Sequence, residues 1–189
     1  DAVMFYEITG RVVCRCLTEC IVKIVSDQWF IQYDDPEWKK IAHKCLDKME
    51  VTPEIVRKQF EYVLDWLRGW ACTREYGLGT KLPWDQKWVI ESLSDSTIQM
   101  AYSTISKYLE HPKDYGFKAD KLNDEFFDYV FLGKGKPENI EKSISVPKNM
   151  IETMRRDFEY WYPFDFRNSG KDLVQNHLGF CIFNHTALF

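Results

Sequence analysis

Apolar residues in the first third of the chain change from a strand-like to a helical spacing. Residues 1–32 contain short apolar runs separated by tight-turn residues, a pattern typical of strands and hairpins. Asp35 and Pro36 then offer a helix cap and a first-turn proline. Apolar positions recur at helical spacing over residues 38–49 and again over residues 56–67. The pattern predicts a β-rich hairpin segment followed by two amphipathic helices.

The rest of the chain alternates predicted strands with predicted helices. A strand is expected at residues 88–90, followed by a helix over residues 98–109 that Ser94 or Asp95 would cap. A second strand is expected at residues 163–167, leading into a helix that is apolar nearly all round. Such alternation predicts an α/β fold with a largely parallel sheet. The least regular stretch, residues 112–146, is predicted to be a helical peripheral insertion.

Composition predicts a soluble, packed domain from a reducing compartment. Of the 189 residues, 45% are apolar and 16% aromatic, enough for a sizeable core. No apolar run approaches the roughly 20 residues that span a bilayer. The six cysteines show no secreted disulfide framework, which favours the cytoplasm. The net charge of −4 argues against a broad nucleic-acid-binding surface.

The two ends predict that the chain is part of a longer protein. It begins without a start methionine or a signal segment, and residues 180–189 contain no glycine or proline to end the last helix. Common signatures for dinucleotide binding, P-loops, serine hydrolases and zinc proteases do not occur in the sequence.

The junction between the last predicted strand and helix is the first candidate site. Gly170 would let a ligand approach the backbone, and a helix N-terminus offers unpaired N–H groups. The Asp172 carboxylate would accept hydrogen bonds from a ribose diol, and Asn176 and His177 follow one turn later. Helix-dipole complementation by Asp172 and a hydrogen-bonded core histidine explain the same pattern.

A second candidate is the polar stretch 91–97, again where a strand meets a helix. The small hydroxyls of Ser96 and Thr97, with nearby carboxylates, would line a polar pocket. Helix capping accounts for the same residue types.

A third candidate is a cysteine cluster that would hold zinc. Cys14, Cys16 and Cys20 are closely spaced, but a structural zinc site needs four ligands. The alternative is a hairpin descended from a zinc module that no longer holds metal.

Four ordered blocks together resemble one enzyme family. They are SDQWFIQYDDPEWKKIA, VRKQFEYVLDWLRGWACTREYGLGTKLPWD, WVIESLSDSTIQMAYSTI and YWYPFDFRNSGKDLVQNHLGFCIFNHTALF. The first two resemble class I synthetases for leucine, isoleucine and valine. The last two resemble archaeal and eukaryotic leucyl-tRNA synthetases specifically. The resemblance covers essentially the whole chain.

The resemblance implies the second half of a split Rossmann-type catalytic domain. The domain itself would span residues 33–189, and residues 1–32 would form the exit from the editing domain. The family uses ATP with Mg²⁺, leucine and tRNA(Leu) to make leucyl-tRNA. Its HIGH and KMSKS signatures do not occur in this sequence. We therefore expect the isolated chain to be inactive.

The resemblance also assigns roles to individual residues. Gly170 and Asp172 match positions facing the ribose of ATP and of the adenylate, and His177 matches a histidine beside the leucine side chain. Ser96 and Thr97 match a serine pair in the leucine pocket of bacterial relatives. The three cysteines match a hairpin that holds zinc in some relatives. Two other hypotheses are a non-catalytic, synthetase-derived binding module and a small zinc-binding regulatory domain.

Overall fold

The computed structural model describes residues 9–189, in which short antiparallel strands accompany a larger set of helices. The strands are β1 (Phe30–Gln32), β2 (Gly69–Ala71), β3 (Thr73–Arg74), β4 (Lys81–Leu82) and β5 (Asp85–Ile90). The α-helices are α1 (Pro36–Asp47), α2 (Glu54–Trp66), α3 (Ser92–Ser96), α4 (Gln99–Ser103), α5 (Ser106–Glu110), α6 (Asp124–Leu132), α7 (Pro137–Ile144), α8 (Lys148–Trp161) and α9 (Gly179–Leu188). The mixture of helix and sheet agrees with the expected α/β class.

The two helices predicted near the start are confirmed. The Asp35 carboxylate caps α1 by accepting a hydrogen bond from the Trp38 N–H at 2.8 Å, and Pro36 occupies the first turn. The apolar stripe of α2 buries Phe60, Val63 and Leu64. Local capping and periodicity therefore account for both elements.

Helices α1, α2 and α9 enclose the first hydrophobic core, which we call the α9 core. Tyr33 lies at its centre, with ring centroids 5.3, 4.9 and 5.1 Å from those of Trp38, Phe180 and Phe183. The Trp38 indole also donates to the Phe183 carbonyl at 2.8 Å. The helix predicted to be apolar nearly all round is therefore buried against both N-terminal helices.

A second core forms around α8. Its buried residues include Phe126, Val130, Ile144 and Ile151, from α6, α7 and α8. The stretch 112–146 thus packs against α8 and the α4–α5 region. Its status as an insertion stays a prediction.

The expected largely parallel sheet is wrong for residues 9–189. The pairings β1–β2, β3–β5 and β4–β5 are all antiparallel. Parallel strands need a crossover of about a dozen residues or more, whereas β4 and β5 are joined by a tight turn. The strand predicted at residues 88–90 is confirmed within β5.

The strand predicted at residues 163–167 is also wrong. This stretch has no strand assignment, and Phe164 and Phe166 remain exposed. Pro163 lacks an N–H for a sheet ladder. The helix predicted over residues 98–109 is divided between α4 and α5, and neither of these begins with a side-chain cap, so the caps predicted at Ser94 or Asp95 are wrong. The Glu91 carboxylate instead caps the preceding short helix α3.

Residues 9–32 contain less β-structure than the sequence suggests. Val13 and Glu19 form an isolated antiparallel bridge, and β1 follows. The apolar run at residues 21–25 forms no strand. Residues 1–8, the first part of the predicted β-rich hairpin segment, lie outside the described residues. No helix within residues 9–189 is long and apolar enough to cross a membrane.

Candidate functional site

The last helical segment changes its winding twice before it becomes regular. A 3₁₀ turn at Lys171–Leu173 leads into a π-helical turn at Val174–Leu178, and α9 continues from Gly179. Gly179 is required there because a Cβ would lie 2.8 Å from Val63 Cγ1 in α2. π-turns interrupt α-helices frequently at functional sites. Here the π-turn contains Asn176 and His177.

Gly170 and Asp172 form a compact turn at the start of this segment. The Gly170 carbonyl accepts a hydrogen bond from the Leu173 N–H at 3.0 Å. The Asp172 carboxylate folds back so that Oδ1 is 2.5 Å from where a Cβ of residue 170 would be. Both residues are exposed, so the carboxylate is accessible to a ligand. Glycine at 170 therefore makes room for Asp172.

His177 is surrounded by donors on one side of its ring. Arg167 Nη2 lies 3.4 Å from His177 Nδ1, and Cys181 Sγ lies 3.5 Å from the same atom. Because a guanidinium can only donate, we assign Nδ1 as an acceptor and place the ring proton on Nε2. Asn176 is exposed, and its side-chain oxygen accepts from the His177 backbone N–H.

Thr97 is the best-connected polar residue near His177. It is 1% exposed, and its hydroxyl donates to the Ser94 carbonyl and accepts from Asn184 Nδ2, each at 2.9 Å. Its carbonyl accepts from His185 Nε2 at 2.6 Å. Ser96 is half-buried, and its hydroxyl donates to the Leu93 carbonyl at 3.3 Å.

His185 connects Thr97 to the end of α8. Because the Thr97 carbonyl can only accept, Nε2 carries the ring proton, and Nδ1 accepts from the Tyr162 hydroxyl at 2.6 Å. Burial lowers the pKa of His185 from its ordinary value and raises that of Tyr162 to about 12. Both side chains are therefore neutral near pH 7.

The structure brings some of the predicted residues together and leaves others apart. Cys181 Sγ contacts both His177 and, at 3.8 Å, the Thr97 carbonyl, so these two belong to one cluster. Asp172 lies earlier on the same segment, toward solvent. Sequence reasoning missed Arg167 and the polar face of α9. That face is visible in the spacing of His177, Cys181, Asn184 and His185, which is i, i+4, i+7 and i+8.

Two clefts lie beside this cluster, but none of the predicted site residues lines either of them. One, of about 360 Å³, lies between α4, α6 and the end of α9 and is lined by Tyr102 and Phe131 among others. The other, of about 310 Å³, lies between Trp29, Trp84 and Ile98. The cluster around Thr97 and His177 is instead packed, whereas the turn at Gly170 and Asp172 is exposed.

The described residues provide no preformed metal cage. Within residues 9–189, no group of three or more histidine, cysteine, aspartate or glutamate side chains is placed to hold a metal ion. Cys14 and Cys16 are exposed and Cys20 is half-buried. The Thr18 hydroxyl lies 3.3 Å from Cys16 Sγ, and hydrogen bonds with the Thr18 side chain, the Thr18 backbone and Cys14 lower the pKa of Cys16 to about 7. In the part of the chain that the structure describes, these cysteines therefore do not come together as a metal site.

Similarity to known proteins extends over the whole chain. It is 53% identical to the leucine–tRNA ligase of Aeropyrum pernix over 188 residues, 100% of this chain and 20% of the relative. It is 52% identical to that of Methanocaldococcus jannaschii over 189 residues, 100% of the chain and 20% of the relative. It is 55% identical to leucine–tRNA ligase 2 of Saccharolobus solfataricus over 185 residues, 97% of the chain and 19% of the relative. No protein-family model matches the chain.

These relatives identify the class of protein. From end to end, the chain is homologous to aminoacyl-tRNA synthetases, the ligases that join amino acids to tRNA. In particular, it corresponds to one segment of the archaeal leucine–tRNA ligases and spans about a fifth of their length.

Proposed function

We propose that the chain acts as part of a leucine–tRNA ligase, which activates leucine with ATP and transfers it to tRNA(Leu) in the cytoplasm. The observation that carries this proposal is 53% identity along the complete chain to a protein of that name. The matched region extends over all 189 residues in one relative and therefore includes the exposed turn at Gly170 and Asp172.

In this proposal residues 33–189 form the second half of a split Rossmann-type catalytic domain. Residues 1–32 are the exit from an editing domain, and residues 112–146 are a peripheral insertion. Support for the insertion comes from the core around α8, to which Phe126 and Ile144 contribute and which excludes the helices of the α9 core.

The exposed turn at the start of the last helical segment is the proposed ribose site. The Asp172 carboxylate accepts hydrogen bonds from the ribose hydroxyls of ATP, and charge-assisted hydrogen bonds of this kind are stronger than neutral ones. Gly170 leaves space for the carboxylate to lie over the turn. Asn176, one turn later and exposed, is a further substrate contact.

The leucine side chain is proposed to bind beside the packed cluster in which the two segments meet at Cys181. His177 presents its ring to the leucine side chain, and Ser96 and Thr97 belong to the opposing turn. The contact of Cys181 with both His177 and Thr97 supports this arrangement. The binding free energies of two substrates that differ by one methylene differ by only about 1–3 kcal/mol in an apolar pocket. Because this discrimination is limited, a separate editing domain is expected in the family.

The first chemical step needs no nucleophilic side chain from this chain. The carboxylate of leucine attacks the α-phosphate of ATP, giving leucyl-adenylate and pyrophosphate. A terminal ribose hydroxyl of the tRNA then attacks the leucyl carbonyl, the bond to the phosphate breaks, and AMP and the hydroxyl proton are released. This chain aligns the reactants, and alignment by itself accounts for a large part of such rate enhancements. In the complete enzyme, Mg²⁺ would accompany ATP as a ligand of its phosphates.

A chimera tests the proposed function directly. The homologous fifth of the Aeropyrum pernix ligase is replaced by this chain, and leucine-dependent ATP–pyrophosphate exchange and tRNA(Leu) charging are measured. We expect activity in the chimera and none in the isolated chain. A chimera that folds, binds tRNA and shows no leucine-dependent exchange contradicts the proposal.

Calorimetry locates the ribose contact. A non-hydrolysable leucyl-adenylate analogue and its valyl counterpart are titrated into the chimera and into its Asp172→Ala variant. Tighter binding of the leucyl compound that weakens in the variant supports the assigned role. Equal binding to both proteins contradicts the role of Asp172 and leaves the family assignment intact.

A further inference from the structure

The hydrogen bonds of Thr97 leave its side chain little capacity to contact a substrate. The hydroxyl has one proton, which is donated to the Ser94 carbonyl, and it accepts from Asn184 Nδ2. With 1% of its surface exposed, Thr97 is also out of reach of a ligand in this conformation. Any role of Thr97 in leucine recognition is therefore indirect and depends on the residues that hydrogen-bond to it.

His185 is the group that ties the Thr97 turn to the rest of the site. Its Nε2 donates to the Thr97 carbonyl at 2.6 Å, and its Nδ1 accepts from the Tyr162 hydroxyl at 2.6 Å. The ring also stacks on Tyr162, with centroids 5.6 Å apart and an interplanar angle of 20°. One imidazole thus joins three chain segments: the turn after α3, the end of α8, and α9 itself.

His177 belongs to the same C-terminal helical segment and faces the proposed leucine pocket. It lies in the π-turn that leads into α9, and His185 lies on α9 eight residues later. Cys181 lies between them and contacts both His177 and the Thr97 carbonyl. Any shift of the Thr97 turn relative to α9 changes the distance between its neighbour Ser96 and His177.

We propose that His185 is a positioning residue for leucine activation: it fixes the turn containing Ser96 and Thr97 against α9, and thereby sets the width of the leucine pocket. The inference rests on the proposed function and adds a residue to which the family resemblance gave no role. Asn184 assists because its side chain bridges the Tyr33 hydroxyl and the Thr97 hydroxyl, at 3.3 and 2.9 Å. The network therefore anchors Thr97 to the centre of the α9 core.

The test separates positioning from general stabilisation. In the chimera described above, His185 is replaced by phenylalanine, which keeps a ring of similar bulk and removes both hydrogen bonds. His185→Gln is the conservative variant because its amide nitrogen can reach the position of Nε2 and donate to the Thr97 carbonyl. The control is Ile151→Val, or Ile151→Ala if needed to match the loss in Tm, in the separate core around α8.

Leucine-dependent ATP–pyrophosphate exchange is measured for each variant at a temperature well below its Tm. We expect His185→Phe to raise the KM for leucine about tenfold or more, since a displacement near 1 Å can cost up to about a hundredfold. The KM for ATP should change less than about twofold, because the Asp172 turn is outside the network. His185→Gln should recover most of the leucine affinity, and the Ile151 control should leave both KM values unchanged.

The outcomes distinguish the two proposals. If the parent chimera shows no leucine-dependent exchange, the proposed function fails and the role of His185 fails with it. If the parent is active and His185→Phe alters the KM for leucine no more than the Ile151 control of equal Tm, the positioning role alone is overturned. An equal rise in both KM values also overturns it, because general loosening then explains the effect.

Discussion

The carboxylate of Asp172 occupies the space that a side chain on Gly170 would need. Its Oδ1 lies 2.5 Å from the ideal Cβ position of residue 170, closer than real atoms approach. The backbone of Gly170 has φ of −65°, which every residue type adopts. Glycine is therefore needed here because of the carboxylate and not because of backbone strain.

Gly170→Ala should impair ATP binding without lowering stability. The added methyl group displaces the end of a flexible, exposed side chain, so the free energy of unfolding should change by less than about 0.5 kcal/mol. In the chimera we expect the KM for ATP to rise several-fold toward that of Asp172→Ala. Gly10→Ala is the control, since no heavy atom lies within 4 Å of its ideal Cβ. An unchanged KM for ATP in Gly170→Ala would show that the folded-back carboxylate is not the binding geometry.

In contrast to Gly170→Ala, Gly179→Ala should lower the free energy of unfolding. Its Cβ would lie 2.8 Å from Val63 Cγ1 and 3.3 Å from the Val174 carbonyl. Val63 is buried in the α9 core and the Val174 carbonyl belongs to the π-turn, so neither moves freely. Overpacking of this kind costs about 1–3 kcal/mol, measured by urea unfolding.

Val63→Ala provides the internal check on that clash. Removing the Val63 methyl groups in the Gly179→Ala background should relieve the contact, so the double variant should be more stable than the sum of the single losses predicts. Additive losses would show that the contact with Val63 is not the cause.

The elements predicted correctly depend on interactions between close neighbours in sequence. Asp35 caps α1 by accepting a hydrogen bond from the Trp38 N–H, three residues along the chain. The buried apolar face of α2 follows from the spacing of apolar residues within that helix. The failed strand at residues 163–167 depends on a distant partner, which a sequence pattern does not supply. Alternation of Phe164 and Phe166 resembles a strand face, yet both side chains are exposed.

In the candidate site too, the predicted residues are close in sequence and the missed contacts join residues that are far apart. Gly170, Asp172 and His177 follow one another within a single segment, so their proximity is legible in the sequence. The bonds from Asn184 and His185 to Thr97 join residues 87 and 88 positions apart, and only the folded chain brings them together. The helical spacing of the polar residues on α9 is visible in the sequence, but the many apolar residues of that helix favoured the prediction of a helix buried on all sides.

The exposed Cys16 thiol should be more reactive than the buried Cys181 thiol. Hydrogen bonds with the Thr18 side chain, the Thr18 backbone and Cys14 lower the pKa of Cys16 to about 7, whereas burial raises the pKa of Cys181. Near pH 7, Cys16 therefore has comparable amounts of thiol and thiolate, and the thiolate is the nucleophile. Iodoacetamide labelling followed by peptide mass spectrometry should modify Cys16 well before Cys181. Thr18→Val should slow labelling of Cys16 at pH 7, and an unchanged rate would exclude the hydrogen bond with the Thr18 side chain as the cause.

Stability should fall as the pH drops below the ordinary pKa of histidine, and His185 should be responsible for part of that fall. Burial lowers the pKa of His185 below its ordinary value of 6.5; the neighbouring charges of Arg167 and His177 act in the same direction, and the bond to the Thr97 carbonyl acts against them. The folded state then binds fewer protons than the unfolded state, so the contribution is fully present above pH 6.5 and is lost as the pH falls toward the folded-state pKa.

Thermal unfolding of the chimera between pH 8 and pH 5 measures this contribution. The decrease in Tm on acidification should be smaller in His185→Gln, which has no proton to gain at that position, than in the parent. His111→Gln, at an exposed histidine, is the matched control and should keep the slope of the parent. Tyr162, with its pKa raised to about 12, stays neutral throughout this range and does not contribute. Equal slopes in the parent and in His185→Gln would mean that the buried imidazole does not gain its proton in the unfolded state over this interval, contrary to the linkage argued from its burial.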